Sequence, residues 1–522
     1  MQCKLLVKNI ELDIGLPLEA LKEAAAEKAG VLVSDVSSLT VIKRSLDARK
    51  RSKPHYVYTA AIGGDFSSSA ISNNELFVEE EIKPLKTGTE EINGRIVVAG
   101  TGPCGLFCAY LLSKHGYKPI VIERGSIMQK REAAFLLLRD KGVLSRENNV
   151  CFGEGGAGTF SDGKLTTRIK DPHAKSVLKL LNEHGASDSV LYNTKAHVGT
   201  DVIRKTVVSM RNEIIRMGGE VFFDTKLTDI EIKSGGLKSI SVKNAEKTYK
   251  IDTNCLVLAI GHSARDTYEM LLKRGVYMEP KSFAVGMRAE HKRSVIDESQ
   301  YGNAEYSKIL GAADYKLTAR AKDRGVFSFC VCPGGEVVCS ATENNMTAVN
   351  GMSYSARDGE NTNGAIVVSV NKNDYFPGPL GGVEFQRMIE AKAYEAAGGY
   401  GAFYTDISTF LGKGSKRSSL YSSYRPYVVK GRPDKVFPNF IIEALKYGLS
   451  EFCLKIKGFD EGILLGAETR TSSPVRITRD ENFLSMRGIY PAGEGAGYAG
   501  GIVSAAADGL KVAEKIIERF KP

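Results

Sequence analysis

The chain has 522 residues, 43% of them hydrophobic and 25% charged, which is too much for one core and ordinary for a globular protein of two or three domains. A net charge of +10 favours anionic ligands, such as a nucleotide or an acidic small molecule, without demanding nucleic acid. No apolar run reaches the roughly 18 residues that span a bilayer, so no membrane is expected, and nine irregularly spaced cysteines argue against a disulfide framework.

The opening residues, MQCKLLVKNIELDIGLP, alternate like a strand and lack the uninterrupted apolar segment of a secretory signal. Together with reduced thiols, this predicts a cytoplasmic protein. A helix-like PLEALKEAAAEKAG ended by Gly30 follows, then two strand-like runs, SSLTVIKRSLD and PHYVYTAAIGGD. Residues 1–90 therefore read as a small α+β domain of βαββ order. Its link KRSLDARKRSK sets Lys43, Arg44, Arg49, Lys50, Arg51 and Lys53 against Asp47, as either a solvated hairpin or a basic docking surface.

From Arg95 the pattern becomes strand, glycine turn, helix, strand. In RIVVAGTGPCGLFCAYLLSKHGYKPIVIERG, Gly100, Gly102 and Gly105 form G-x-G-x-x-G between a buried strand and a helix opened by Pro103. Gly100 permits the tight turn, Gly102 lets backbone approach a pyrophosphate, and Gly105 allows close helix–strand packing. Glu123 ends the next strand, where a carboxylate accepts from ribose hydroxyls and disfavours the 2′-phosphate of NADP. Strand, helix and terminal acid in register predict dinucleotide binding.

A second glycine-rich loop, CFGEGGAGTFSDGKLTTR, runs from Cys151 to Arg168. A long helix-like run, DVIRKTVVSMRNEIIRMGG, precedes a short strand EVFFD, a group of strands around TDIEIKSGGLKSISVKNAEKTYKID, and a buried strand CLVLAIG. Residues from about Tyr277 to Gly458 mix strands, helices and polar loops as a second lobe. GIYPAGEGAGYAGGIVSAAADGLKVAEKIIERF closes the chain with a strand, a glycine turn and an amphipathic helix, and Gly500, Gly501 and Ile502 start that helix with N–H groups free to face a ligand.

The fingerprint segment resembles the FAD-binding start of the two-dinucleotide-fold flavoproteins, in which Arg or Lys follows the acid, as in Glu123-Arg124. CLVLAIGHSARD, with Gly261, resembles the strand-glycine element that crosses beneath their FAD. GIYPAGEGAGYAGG resembles their closing motif, with Gly493 followed by Glu494 where an acid, usually Asp, binds the ribityl chain. GEGGAGTFSDGKL, SFAVGMRAEH, FSFCVCPGGEVV and AETRTSSPVRI are together similar to the family of uncharacterised bacterial FAD-dependent dehydrogenases. Members of that family also carry a small N-terminal domain with a segment like SLDARKRSKPHYVY, so the resemblance covers almost the whole chain.

The resemblance implies an α/β fold: a Rossmann-like FAD-binding domain of the glutathione-reductase type, with an inserted mixed α+β substrate lobe and the small N-terminal domain. The FAD domain is expected at 94–170, 200–275 and 460–522, and the lobe at 171–199 and 276–459. FAD is the implied cofactor and oxidoreductase chemistry the implied activity. In such proteins the second glycine loop passes beside the flavin. Gly155, Gly156 and Gly158 would then allow close contact, Ser161 and Asp162 would hydrogen-bond, and Lys164 would supply a cation to flavin or substrate.

Candidates for catalysis are Lys164, His291 as an acid or base, and Cys330 as a thiol near the flavin. Cys330 and Cys332 also read as a redox pair, although two residues apart on a strand is poor geometry for an unstrained disulfide, as inert packing, or as half of a metal site; no second pair completes that site, and no metal is expected. Glu468, Arg470 and Arg476 are either salt-bridged structure or the lining of an anionic-substrate or flavin site. No second full fingerprint is present, so NAD(P)H is expected only as a transient donor. The expected function is an FAD-dependent oxidoreductase of a small, anionic substrate. The alternative is a flavin-containing RNA- or protein-binding module that uses the basic N-terminal domain, with nucleic acid the less favoured partner.

Overall fold

The computed structural model describes residues 3–49, 53–78, 84–166, 171–303, 305–414 and 421–522. Three units are built in chain order. In the first, strands Val36–Asp47, His55–Gly64, Cys3–Asp13 and the short Glu75–Leu76 lie side by side in that order. The helix Glu19–Ala29 buries Leu21, Ala25, Ala26 and Ala29 against Leu5, Val7, Ala60 and Ile62 of the sheet. Gly30, at φ 67°, stops it and returns its N–H to the carbonyls of Ala26 and Glu27.

Arg44 is not a solvated cation of the basic link. Its N–H reaches the Tyr192 carbonyl at 2.8 Å, its Nε reaches Asn193 Oδ1 at 2.7 Å, and its guanidinium lies between the rings of Tyr56 and Tyr192. It fastens the small sheet to the rest of the chain. Arg49 pairs with Asp47, while Lys50 and Arg51 lie outside the described residues.

The second unit is a parallel sheet in the order Ile489–Pro491, Leu256–Leu258, Val97–Ala99, Ile120–Ile122, Glu220–Phe222. Ile489–Pro491, Leu256–Leu258 and Val97–Ala99 are buried along their whole length, which explains their unbroken apolar runs, whereas the edge strand Glu220–Phe222 is largely exposed. On one face lie the fingerprint helix Pro103–Lys114 and the closing helix Ile502–Arg519. They approach closely, because a Cβ on Gly509 would stand 2.1 Å from the Cys104 carbonyl oxygen. The other face is covered by an antiparallel layer of Lys226–Lys233, Gly236–Lys243 and Thr248–Asp252, with Ile230, Ile240 and Val242 packed on Val97 and Leu258.

The third unit is a mixed sheet of seven strands, in the order Thr318–Ala321, Arg324–Cys332, Asn361–Val370, Phe283–Lys292, Ile463–Glu468, Ala402–Asp406, Val428–Lys430. Helices Gly381–Ala397 and Asn439–Lys455 share its core. Two expected boundaries are corrected. The strand Ile463–Glu468, expected with the FAD domain, pairs antiparallel with Phe283–Lys292 and belongs to the lobe, since its apolar run ILLGA is buried there on both faces. The segment expected in the lobe at 171–199 instead contributes helix His173–Glu183 to the FAD-domain core, where its apolar stripe of Val177 and Leu181 is buried with residues of the closing helix. Among the described residues, no helix is long and apolar enough to cross a membrane.

Candidate functional site

One cavity of about 400 Å³ opens where the parallel sheet meets the lobe. Its floor begins with the fingerprint. Gly100 ends the first strand, Gly102 caps the helix, Pro103 occupies the first turn, and the helix N–H groups face the cavity. Gly105 does not line it. A Cβ there would meet the Gly100 carbonyl oxygen at 1.9 Å, so its lack of a side chain closes the turn onto the helix.

The second glycine loop lies directly on this turn. Gly156 has φ +61°, and a Cβ on it would stand 2.9 Å from Gly102 Cα. Gly158 faces Pro103 and Ile502, so the loop bridges the N-termini of both helices. Arg131 holds it from behind: fully buried, it donates to the carbonyls of Asn149, Val150 and Glu154 at 2.6–2.9 Å and to Thr159 Oγ1 at 2.6 Å. Gly155 stands behind the wall, packed on Thr159 and Val207.

Glu123 lines the cavity, but all its acceptor positions are engaged. Oε2 receives Thr101 N and Oγ1 at 2.9 and 2.8 Å, and Oε1 receives the N–H groups of Gly125 and Gly153 at 3.0 Å. It ties three loops together, and a ribose hydroxyl would have to share these oxygens. Arg124 pairs with Glu147 and Asp266 and lies over the Phe152 ring at 4.1 Å. Gly261 lines the cavity with open space around it. Gly493 lies just behind, its N–H on Asp508 at 2.7 Å.

Glu494 contrasts with Glu123. It lines the cavity, and among the described residues no hydrogen bond reaches its carboxylate, which burial pushes up to about 7 against the pull of Lys281. Gly500 and Gly501 border the same space with no protein atom within 4 Å of an added Cβ. A glycine cradle, free helix N–H groups and an unpartnered acid fit a large, phosphate-bearing, hydroxyl-rich cofactor.

The opposite wall carries ionisable groups. Ser161 and Asp162 border the cavity but spend their bonds on protein: Ser161 Oγ donates to the Gly158 carbonyl at 2.9 Å, and Asp162 accepts from Arg357 Nε at 3.0 Å and from Ser353. Lys164 Nζ donates to the Val331 carbonyl and stands 4.0 Å from Asp162. Cys330 lines the cavity from a bulge of Arg324–Cys332. Glu468 lines it too, bound by Arg288 Nη1 at 2.8 and 2.9 Å. Arg470 is both structural and cavity-lining, donating to Glu390, Thr342 and Ser263. Arg476 lies outside the cavity lining, over the Tyr498 ring.

His291 is a correction. Its ring is 1% exposed, its Nε2 meets the Phe459 carbonyl at 2.8 Å, and it packs on the Phe459 ring. The strand Phe283–Lys292 is buried along both faces, so every second residue points away from the cavity. Arg131 and the pair Thr225–Lys226 were missed. Arg131 falls at an apolar-face position of Met128, Phe135 and Leu138, and that register could have marked it as buried. Among the described residues, no group of three or more His, Cys, Asp or Glu could hold a metal.

A parallel sheet whose first turn, second glycine loop and closing helix converge on one cavity defines a dinucleotide-binding flavoprotein. Residues 282–471 match the family model described as FAD-dependent protein, C-terminal domain-like, and residues 7–63 match a domain of unknown function. An uncharacterized protein of Clostridium beijerinckii is 45% identical over 535 residues, covering 98% of each chain. Among solved structures, the flavin-dependent brominase Bmp2 is 12% identical, with a TM-score of 0.39 over 80% of this chain and 77% of that one. A geranylgeranyl bacteriochlorophyll reductase-like protein of Thermoplasma acidophilum is 13% identical, with a TM-score of 0.35 over 82% and 79%. The chain belongs to this family of FAD-dependent proteins, and its cofactor is FAD.

Proposed function

We propose that the chain is an FAD-dependent oxidoreductase that passes hydride or electrons through its flavin between a reduced donor, NAD(P)H, and a small anionic substrate. One observation carries this reading. The glycine cradle and a wall of ionisable side chains, Lys164, Cys330, Glu468 and Arg470, belong to the same cavity. When bound, FAD supplies a reversible two-electron acceptor; the chain supplies position and charge.

The N-terminus of Ile502–Arg519 presents positive backbone dipole to the cavity, which favours negative charge developing there. Glu494 is free to accept hydroxyl donors. Lys164 and Arg470 favour an anion on the substrate side. The test is anaerobic addition of NADH and of NADPH to the holoprotein, read as bleaching of the flavin bands, followed by a screen of anionic acceptors that restore them. Purified protein that releases no FAD on denaturation, or a bound flavin that neither nucleotide reduces, would overturn the reading.

A further inference from the structure

Cys330 lines the cavity and Cys332 lies buried two residues on, across a distortion of the strand. Strand Arg324–Cys332 runs beside Asn361–Val370 in regular register until Phe329 opposite Ala365, and resumes with Cys332 opposite Asn363, so one extra residue is bulged out between them. Cys330 sits in this bulge at φ 43°, a left-handed conformation that is rare for a residue with a Cβ. Strain of this kind persists where surrounding structure enforces it and clusters at functional sites, and bulges re-aim side chains beside active sites.

Two cations enforce it here. Arg288 Nη2 donates to the Cys330 carbonyl at 2.6 Å and to Cys332 Sγ at 3.4 Å, and Lys164 donates to the carbonyl of Val331 between them. Residues two apart on a regular strand stand near the limit of what a disulfide spans. The bulge replaces that extended geometry and turns Cys332 back toward Cys330, its Sγ donating to the Cys330 carbonyl at 3.5 Å.

The pair is also asymmetric. Cys330 lines the cavity and is partly exposed, whereas Cys332 is buried. The neighbouring Cys332, with Arg288 and Lys164, lowers the Cys330 thiol to about 6, while burial pushes Cys332 up. An accessible thiolate beside a buried, protonated thiol is the division of labour in dithiol exchange: the first attacks, the second resolves.

We propose that Cys330 and Cys332 form a dithiol/disulfide couple that exchanges two electrons with the bound FAD, which makes a disulfide or dithiol the substrate class that this wall of the cavity serves. This rests on the flavin reading above. In the oxidising direction the Cys330 thiolate and the Cys332 thiol join in one S–S bond, and Cys332 gives up its proton. The two electrons and that proton pass to oxidised FAD, which becomes the reduced flavin anion. In the reverse direction the Cys330 thiolate re-forms together with reduced Cys332, and it opens a substrate disulfide: Cys330 bonds one sulfur, the other leaves as a thiolate, and Cys332 displaces the first.

Anaerobic dithionite titration of the air-oxidised holoprotein tests the couple directly. Wild type is expected to take up four electrons per FAD, and Cys330→Ser and Cys332→Ser only two. Peptide mapping of the oxidised wild type after alkylation without reductant should show one peptide with Cys330 and Cys332 bridged and unalkylated, which needs no variant to fold. Uptake of two electrons by a wild-type protein that does hold FAD, with both cysteines alkylated, would refute the couple alone. Absence of released FAD would refute the flavin site and the couple with it.

Discussion

Gly156→Ala perturbs the contact between the two glycine turns. The residue sits at φ +61°, and the new Cβ would stand 2.9 Å from Gly102 Cα, a backbone atom that cannot swing aside. A left-handed alanine costs about 1–2 kcal/mol relative to glycine, and prising two packed turns apart adds about 1–3 kcal/mol. Roughly 2–5 kcal/mol must therefore be lost, either from the fold or from the cofactor. If the loop keeps its place, the apoprotein melts several degrees lower. If the turns part, the pyrophosphate cradle opens, and at 1.4 kcal/mol per tenfold FAD binds about 30- to 4,000-fold more weakly. Thermal melts of apoprotein and FAD titration by fluorescence quenching read the two losses separately. Gly158→Ala is the control: its Cβ would meet the flexible Ile502 side chain at 3.2 Å and its φ is not left-handed, so it should be tolerated. A Gly156→Ala protein with wild-type melting and wild-type FAD affinity would refute the reasoning.

Gly501→Ala should behave in the opposite way. Its φ of 169° suits any residue and no protein atom lies within 4 Å of the new Cβ, so apoprotein melting should not change while FAD affinity falls at least about tenfold; unchanged affinity would mean that the cofactor does not approach this turn. Glu390→Gln should cost about 3–5 kcal/mol, because the fully buried carboxylate is shared by Arg265 and Arg470 and its loss leaves buried cations uncompensated. Those arginines depress Glu390, so its contribution is complete above the ordinary carboxylate range and is lost as pH falls; melting of the variant at neutral pH within a degree of wild type would contradict this. His291 is pushed down from 6.5 to about 4 by burial, so the neutral ring is the folded form. Stability is then complete above 6.5 and falls by up to roughly 3 kcal/mol as pH drops to 4; His291→Gln should flatten that slope in melts and leave the flavin spectrum unchanged.

What could be read from the chain was local. Gly100, Gly102 and Gly105 announce a turn because the strand, the turn and the helix are contiguous, and the closing helix declares itself by its glycine start and alanine-rich face. What could not be read depends on partners far along the chain. ILLGAE is an apolar run that fits either unit, and only pairing with Phe283–Lys292, nearly two hundred residues away, assigns it to the lobe. His291 reads as a candidate acid or base because the resemblance sets it among strands of the substrate lobe, yet the strand carrying it is central and covered on both sides. The Cys330 bulge is invisible in FSFCVC, since the extra residue is defined only against Asn361–Val370. Glu123 and Arg44 show the same limit: residue type announced a polar contact, and the fold decided with whom.

Glu494 turns that lesson into a prediction about cofactor binding. Two carboxylates face the cradle end of the cavity, and the fold satisfies one of them completely. Among the described residues Glu494 is left without a donor, between Lys281, which favours its anion, and Cys330, which opposes it, and burial lifts it from 4.5 to about 7. In the apoprotein this sign makes the folded state prefer the protonated acid. Stability is therefore complete below about 4.5 and declines as pH rises to 7, by no more than roughly 3 kcal/mol and by less where solvent reaches the group. FAD reverses the preference if its hydroxyls donate to this carboxylate, because hydrogen bonds to the charged form lower its pKa. Binding then releases a proton, and FAD affinity must rise with pH by up to tenfold per pH unit below about 7. Glu468, the other acid lifted to about 7, is held by Arg288 and remains in Glu494→Gln, so that variant isolates the effect. Titrations between about pH 5.5 and 8 should show a sloping Kd in wild type and a flat one in Glu494→Gln, whose apoprotein should also melt higher than wild type above pH 7. A wild-type Kd independent of pH would show that this carboxylate never meets the cofactor.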